Sequence, residues 1–398
     1  MEWKKVPISS ICEGIYEGPH ATPPSCESGA YYLGIPALTS DGQIDFSKVP
    51  RICEKDYKKW TKRVTPKYGD IVFTNEATLN LYARIPMDFY GCLGRRLGLV
   101  RPLQDKVDVD YLFYYFFSPY WRKVIALKKV SGSTVERILM KKFPHFPVLL
   151  PPLNIQNKIA SILSDYDNLI ENNNKRIRLL EQMAENIYKE WFVRFRFPGH
   201  EKAEFENGLP KGWSLKNLFD VADVSYGYAF KSDLFCNDKN LNAVVRIRDI
   251  QDNHTDTYTS EVCDDKYLIE ENAILVGMDG LFHMCLWNGE KAYLNQRVVK
   301  ICSKKIDMCN YMLFMAIRPQ IKFWEQVIAG TTVAHLGDKH LKKIKIAVPT
   351  ENLLLKANES IQRIMVEKNQ LFKQNQILTR ERDLLLPRLM SGKLEVNV

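Results

Sequence analysis

Nowhere in the chain do eighteen apolar residues run together, and the opening MEWKKVPISS has no apolar signal core, so neither a membrane-crossing helix nor secretion is expected. A phosphate loop is missing as well: Gly392 and Lys393 are followed by leucine, while Gly91, Gly94 and Gly98 form no dinucleotide fingerprint and suit turns instead. An adenine methyltransferase needs Asn or Asp before Pro-Pro and an aromatic to hold a flipped base. The prolines at 23 and 24 and at 151 and 152 lack those neighbours, and no Pro-Asp dipeptide introduces a nuclease-type acidic cluster. The nine cysteines, an odd number, include no Cys-x-x-Cys pair, so they are expected to be reduced, buried thiols of a cytoplasmic protein. His335 and His340 would stand a turn and a half apart on a helix, which does not suit zinc. The expectation is a non-enzyme with no catalytic residues and no bound metal.

What the chain does have is charge on one side of its middle. Of the formal +9, +8 falls in residues 1–198. That suits a polyanionic partner, although many soluble proteins carry as much with no nucleic acid involved. With 398 residues, 45% hydrophobic and 26% charged, there is material for two or three domains.

The chain also repeats itself. GSTVERILMKKFPHFPVLLPP at 132–152 returns as GTTVAHLGDKHLKKIKIAVPT at 330–350. YGDIVFT at 68–74 returns in outline as ENAILVG at 271–277, CLGRRLGLV at 92–100 as YLNQRVVKI at 293–301, and WKKVPISSI from Trp3 as WSLKNLFDV from Trp213. Offsets near half the chain length mean two copies of a whole domain rather than a solenoid. Within each copy, short β-branched and aromatic runs broken by Gly, Asn, Asp and Pro predict strands, with helices such as DYLFYYFFSPYWRKVIAL between them.

After Pro151 and Pro152 the pattern turns helical. Ile155, Ile159, Ile162, Tyr166 and Leu169 are spaced 4, 3, 4, 3, which reads as a helix-pairing seam. Asn173 follows in it, and Ile177, Leu180, Ala184, Ile187 and Trp191 resume after a four-residue stutter. The run of about 40 residues would make about 60 Å of helix. The second copy places Ile361, Ile364, Leu371, Leu378 and Leu385 on one stripe, with Asn375 in the seam and Pro387 expected to break the helix. A buried Asn commonly sets register between paired helices. The alternative is that each helix packs on its own domain with its Asn facing water.

The segments PVLLPPLNIQNKIASILSDYDNLIENNNKRIRLLEQMAENIYKEWFVRFRFPG and LLLPRLMSGKLEV closely resemble the specificity subunits of Type I restriction-modification systems, and the resemblance covers the layout of the whole chain. It implies a mixed α+β fold: two α/β target recognition domains separated by a pair of long antiparallel coiled-coil helices, with an internal pseudo-twofold repeat. The boundaries expected are residues 1–150 and 198–350 for the recognition domains, and 151–197 and 351–398 for the helices. It implies a DNA-binding subunit that reads both halves of a bipartite target and directs two methyltransferase subunits and, through them, restriction subunits. S-adenosylmethionine, Mg and ATP would belong to those partners, with no cofactor on this chain. The chain departs from the family pattern at Ile155-Gln156, where Glu-Gln is usual, and at Glu351, Asn352 and Leu353, in place of Pro-Pro-Leu. The rival readings are a stand-alone methyltransferase-specificity enzyme and a coiled-coil protein-interaction adaptor.

Direct readout needs side chains with two donors, or a donor and an acceptor, for one base edge: Arg for guanine, Asn or Gln for adenine. The matched GRR and NQR supply Arg95 and Arg96, and Gln296 and Arg297. Arg96 and Arg297 are common to both copies, which fits a structural or phosphate-contacting role equally well. Ser133, Thr134, Thr331 and Thr332 on the repeated glycine turn can donate to phosphate or simply shape the turn. Arg51, Lys55, Lys58, Lys59, Lys62, Arg63 and Lys67, with Tyr57 and Trp60, suit either a loop tracking the DNA backbone or a solvated face. Tyr226, Tyr228, Lys231, Arg246 and Arg248 are the corresponding candidates in the second copy, where Phe230 suits the core.

Overall fold

The computed structural model describes residues 3–131, 135–328 and 334–396. The chain divides into two compact units, one made of residues up to 172 together with those from 375 onward, the other of residues 173–374.

In the first unit, strands β1 (Lys4–Pro7), β2 (Cys12–Glu17), β3 (Ala30–Leu33) and β4 (Arg51–Ile52) precede helix α1 (Glu54–Trp60). Strands β5 (Ile71–Thr74), β6 (Tyr82–Arg84), β7 (Gly91–Leu93) and β8 (Leu97–Pro102) follow, then α2 (Val109–Phe117) and α3 (Pro119–Lys128). The short β9 (Val130–Ser131) and β10 (Glu136–Arg137), then β11 (Pro147–Leu150), lead to the long α4 (Leu153–Tyr188). One sheet has the order β2-β8-β5-β6, a second β4-β3-β7, and β1 pairs antiparallel with β11.

Strand β5 is apolar on both faces because it lies between two cores. Ile71 and Phe73 join a cluster with α2 and α3, while Val72 faces Ala83, Leu97 and Leu99. A strand covered on both sides reads as an unbroken apolar run instead of an alternating one.

The second unit repeats the plan. After β12 (Phe205–Glu206) and β13 (Leu209–Pro210) come β14 (Ser214–Asn217), α5 (Leu218–Val221), β15 (Ala222–Tyr226), β16 (Phe235–Cys236), β17 (Asn242–Val245) and β18 (Tyr258–Thr259). Then follow β19 (Leu268–Ile269), β20 (Ile274–Gly277), β21 (Met284–Leu286), β22 (Ala292–Leu294), β23 (Val298–Ser303), α6 (Asn310–Ile328), α7 (Asp338–Leu341), β24 (Lys345–Val348) and α8 (Glu351–Met390). The order β15-β23-β20-β21 is that of the first unit's main sheet, and β14 pairs with β24 as β1 does with β11. Ile274 and Val276 face one core and Leu275 the other, as in β5.

Each unit holds a stretch of α4 against a stretch of α8, the two running in opposite directions. In the first unit Arg382 Nη1 lies 2.6 Å from Asp167 Oδ1, and Asn375 Nδ2 donates to Ile170 O (3.4 Å). In the second, Asn173 Nδ2 donates to Gln374 Oε1 (3.1 Å), Arg176 pairs with Glu367 (2.8 Å) and Lys368 with Glu181 (3.0 Å). An amide near the start of each stretch plugs an open helix end in its own unit. Gln156 Oε1 accepts the Asp108 N–H (3.0 Å) ahead of α2, and Asn358 Oδ1 accepts the Cys309 N–H (2.8 Å) ahead of α6. Those N–H groups have no partner inside their own helices.

Several expectations change. The seam of α4 passes through Leu163, fully buried, and Ile170, half-buried, while Leu169 is 48% exposed. With 159, 163, 166, 170, 173, 177, 180, 184 and 187 as the inward positions, the 4, 3 alternation has no stutter. Helix α8 runs through Pro387 to Met390 instead of breaking there. The helix expected over 110–127 is two helices parted at Ser118. Cys26 and Cys53 form a disulfide, so not all nine thiols are reduced. Cys26 bridges Arg51 across the strand edge, which brings it beside Cys53 with the Cα atoms 5.3 Å apart. Cys12 and Cys92 are buried free thiols, and burial pushes both up to about 12. Among the described residues, no helix is long and apolar enough to cross a membrane.

Candidate nucleic-acid interface

In the first unit β7 and β8 are joined by the turn Gly94-Arg95-Arg96, on which three chain segments converge. The Gly94 N–H donates to Leu33 O (2.6 Å) and the Gly18 N–H to Leu97 O (2.8 Å). A Cβ on Gly18 would lie 2.2 Å from Gly94 O, so only glycine lets the segments pass so closely. The Arg95 N–H donates to the Tyr32 hydroxyl (3.0 Å), fixing the backbone while the residue stays exposed. Arg96 is left-handed, φ 69°. Its carbonyl accepts the Asn75 N–H (3.0 Å), and its Nε is 3.2 Å from Glu76 Oε1.

Part of the basic cluster joins this turn. Arg63 Nη1 donates to Gly18 O (2.8 Å), and Trp60 meets Tyr32 edge-on at 6.3 Å with Lys59 Nζ 5.8 Å from the indole. Lys58, Lys59 and Lys62 are exposed. Residues 54–60 form helix α1, so of the two readings, a loop or a solvated face, the loop does not hold there, and Arg51 turns inward, donating to Gly29 O (2.7 Å) and the Tyr31 hydroxyl (2.9 Å).

The second unit builds the same turn. The Gln296 N–H donates to Tyr228 O (2.7 Å), the Gly227 N–H to Val298 O (3.1 Å), and a Cβ on Gly227 would lie 1.9 Å from Asn295 O. Arg297 is left-handed, φ 71°, its carbonyl accepts the Met278 N–H (2.9 Å), and its Nε is 3.6 Å from Asp279 Oδ2. Arg96 and Arg297 therefore hold the same strained position beside the same kind of carboxylate. Arg95 and Gln296, each one residue earlier, are exposed and differ in kind.

Acidic groups line the surroundings in the second unit. The Tyr226 hydroxyl donates to Asp338 Oδ1 (2.7 Å) and that of Tyr228 to Glu261 Oε1 (3.3 Å). Burial and then the Asp338 bond push the Tyr226 phenol far up, and the Glu261 charge raises that of Tyr228, so both remain neutral donors. The Lys231 backbone N–H is held by Glu261 Oε2 (3.0 Å) while its side chain is exposed. Arg246, 22% exposed, is engaged by Thr257 and lies over the Phe235 ring, whereas Arg248 is 71% exposed. Phe230 is core. Ser133, Thr134, Thr331 and Thr332 lie outside the described residues.

Two further residues stand beside these turns: Arg137, which the sequence did not single out, is bridged to Glu76, and His335, weighed above only against zinc, is bridged to Asp279. Their signal was present, since ER at 136 and 137 and AH at 334 and 335 align at the offset of β11 and β24. His340 instead accepts the Gly337 N–H at Nδ1 (3.0 Å) and lies 5.0 Å from Trp324, and burial, then Lys339 and Lys343, lower its pKa. Among the described residues no group of three or more His, Cys, Asp or Glu is placed to hold a metal.

The model of the Type I restriction modification DNA specificity domain matches residues 1–182 and 210–382. The Type I restriction enzyme MjaIX specificity subunit of Methanocaldococcus jannaschii is 26% identical, over 94% of this chain and 90% of its own. The EcoBI specificity subunit of Escherichia coli is 30% identical over 46% of this chain and 39% of its own. The fold is similar to that of the crystal structure of the Type I restriction-modification system S subunit from M. genitalium, with a TM-score of 0.58 at 16% identity, covering 97% of this chain and 96% of that one.

Proposed function

Because the chain belongs to the Type I restriction-modification DNA specificity family, whose members are non-catalytic specificity subunits, we propose that each of its two units reads one half of a bipartite DNA target. The observation that carries this reading is a turn built twice with one member changed. The left-handed arginine, its carboxylate and the glycine beneath recur, while the exposed residue ahead of them is Arg95 in one unit and Gln296 in the other. Arg suits guanine and Gln suits adenine. Lys58, Lys59, Lys62 and Arg63 supply charge for the phosphates, whose neutralisation makes affinity fall with salt.

The helices α4 and α8 serve as an antiparallel coiled-coil spacer and as the docking surface for methyltransferase subunits. Apolar side chains left exposed on them, Leu169, Ile377 and Leu384 in the first unit and Leu179, Met183 and Val366 in the second, suit a protein partner. The duplicated plan gives a pseudo-twofold, so two identical methyltransferase subunits can bind one chain, with restriction subunits joining through them. S-adenosylmethionine, Mg and ATP reside on those partners, and the complex works in the cytoplasm.

The test is to assemble the chain with its methyltransferase subunits and sequence what it methylates in a randomised DNA pool. Gln296→Ala should alter selection at one half-site and Arg95→Ala at the other, by about 1–3 kcal/mol each. Equal loss at both half-sites in either variant would sink the assignment. Inserting one heptad in each helix should widen the preferred gap by about three base pairs, from about 10 Å of added helix.

A further inference from the structure

A third segment meets the turn arginine and its carboxylate in both units. In the first, the Ala77 N–H donates to Glu136 O (2.9 Å) and the Ile138 N–H to Asn75 O (2.7 Å). In the second, the Gly280 N–H donates to Ala334 O (3.0 Å) and the Leu336 N–H to Met278 O (2.7 Å). Ala77 and Gly280 are both left-handed, φ 68° and 71°. These bonds flank one residue pair in each unit, Glu76 opposite Arg137 and Asp279 opposite His335. An antiparallel pair with its ladder bonds on either side has its two side chains close together on one face. The second unit shows the consequence: His335 Nδ1 lies 2.6 Å from Asp279 Oδ1, while the other oxygen of that carboxylate faces Arg297.

Comparing the two assemblies separates what is held from what varies. The carboxylate and the left-handed arginine keep their chemistry, Glu76 with Arg96 and Asp279 with Arg297. Two exposed positions change theirs, Arg95 to Gln296 and Arg137 to His335. Domains that read different half-sites must differ where they meet base edges and agree where they hold the scaffold. We propose that Arg137 and His335 are specificity-determining residues, the second base-reading position of each unit. This rests on the DNA-reading function above. Arg137 is exposed with no ion-pair partner among the described residues, so its fork is available for the N7 and O6 of guanine. A ring nitrogen facing a carboxylate carries a hydrogen, so Nδ1 of His335 is occupied and Nε2 is the edge left for a base.

The test uses the complex with its methyltransferase subunits and the randomised pool, reading the base selected at each position. His335→Ala should lose selection by roughly tenfold at a position within the half-site that Gln296→Ala also alters, and leave the other half-site unchanged. Arg137→Ala should do the same in the half-site that Arg95→Ala alters. His335→Asn keeps a donor for Asp279 and lacks the Nε2 edge, so it should fold as the parent does and still lose selection. Variants that select the parent's sequence at both half-sites, or lose both together, would overturn the inference while the DNA-reading function stands. A parent complex that selects no bipartite sequence would sink that function, and this inference with it.

Discussion

Pro119 and Pro319 follow the same apolar helix in the two units, yet one stands at a break and the other lies inside a helix. In the first unit α2 ends at Phe117, Ser118 is extended (φ −66°, ψ 149°), and α3 restarts at Pro119. In the second, α6 runs from Asn310 to Ile328 with Pro319 inside it. A proline disfavours helix at the preceding residue and removes one backbone bond, but it does so equally in both places. The surroundings differ. Ser118 can cap a new helix, its Oγ accepting the Trp121 N–H (3.2 Å), and the break seats Trp121 fully inside the core. Arg318 has no short acceptor to offer, and Ile317 and Ile321, four apart on one face of α6, are both buried. The duplicated plan is thus held by tertiary burial, with local structure free to differ beneath it.

The anchors of the long helices differ in the same manner, and breaking them should separate the units most strongly. Asp167, 18% exposed, accepts from the Tyr114 hydroxyl (2.6 Å) and from Arg382 (2.6 Å), itself 16% exposed. Glu181, which pairs with Lys368 in the second unit, is about half exposed, although Lys368 itself is only 10% exposed. Asp167→Ala leaves a partly buried guanidinium without its main partner and should cost about 2–3 kcal/mol, somewhat below the cost for a fully buried pair. Glu181→Ala should cost about 1–2 kcal/mol, because water reaches the open Glu181 side of the pair while Lys368 stays largely covered. Segment-resolved hydrogen exchange in denaturant checks both, and equal losses would mean that the two anchors are equivalent.

The buried amides make a second, smaller contrast. Gln156 uses both ends of its amide, accepting from Asp108 N–H and donating to Pro151 O (2.8 Å), whereas Asn358 accepts from Cys309 N–H. Gln156→Leu should cost about 1–3 kcal/mol, and Asn358→Leu should fall at the low end of that range, because fewer buried groups are stranded. Faster exchange of the first-turn amides of α2 and of α6, respectively, is the measurement.

These contrasts also show where the sequence was legible. The repeat and the two long helices follow from offsets and periodicity, and the strands from their β-branched runs, whereas which strands pair came only from the fold. The seam of α4 was misread by one residue because Ile162 and Leu163, and Leu169 and Ile170, are adjacent apolar pairs. Periodicity alone cannot choose within such a pair, and only the packed partner decides. Cys26 and Cys53 carry no spacing signal, since a strand bridge brings them together. The turn arginines were found but their roles stayed open, because a positive φ at Arg96 and Arg297 leaves no mark in residue type. Arg137 and His335 align between the copies but carry no mark of their place beside the turns, because only the antiparallel bridges to Glu76 and Asp279 bring them there.

The smallest effect tests whether capping or burial decides at the matched prolines. Ser118→Ala removes the cap and should cost about 1 kcal/mol. It should leave the break in place, because refolding 110–127 as one helix would rotate Trp121 out of the core, and full burial of a large side chain contributes roughly 1.5–3 kcal/mol. Arg318→Ser offers the second unit the missing cap. If the cap decided, α6 would part at Pro319 and amides 320–324 would exchange freely. If burial decides, Ile317 and Ile321 hold the register, protection there stays unchanged, and stability moves by only a few tenths of a kcal/mol, about what a surface substitution does. Burial of both isoleucines outweighs a single cap, so the uninterrupted helix is the expected outcome.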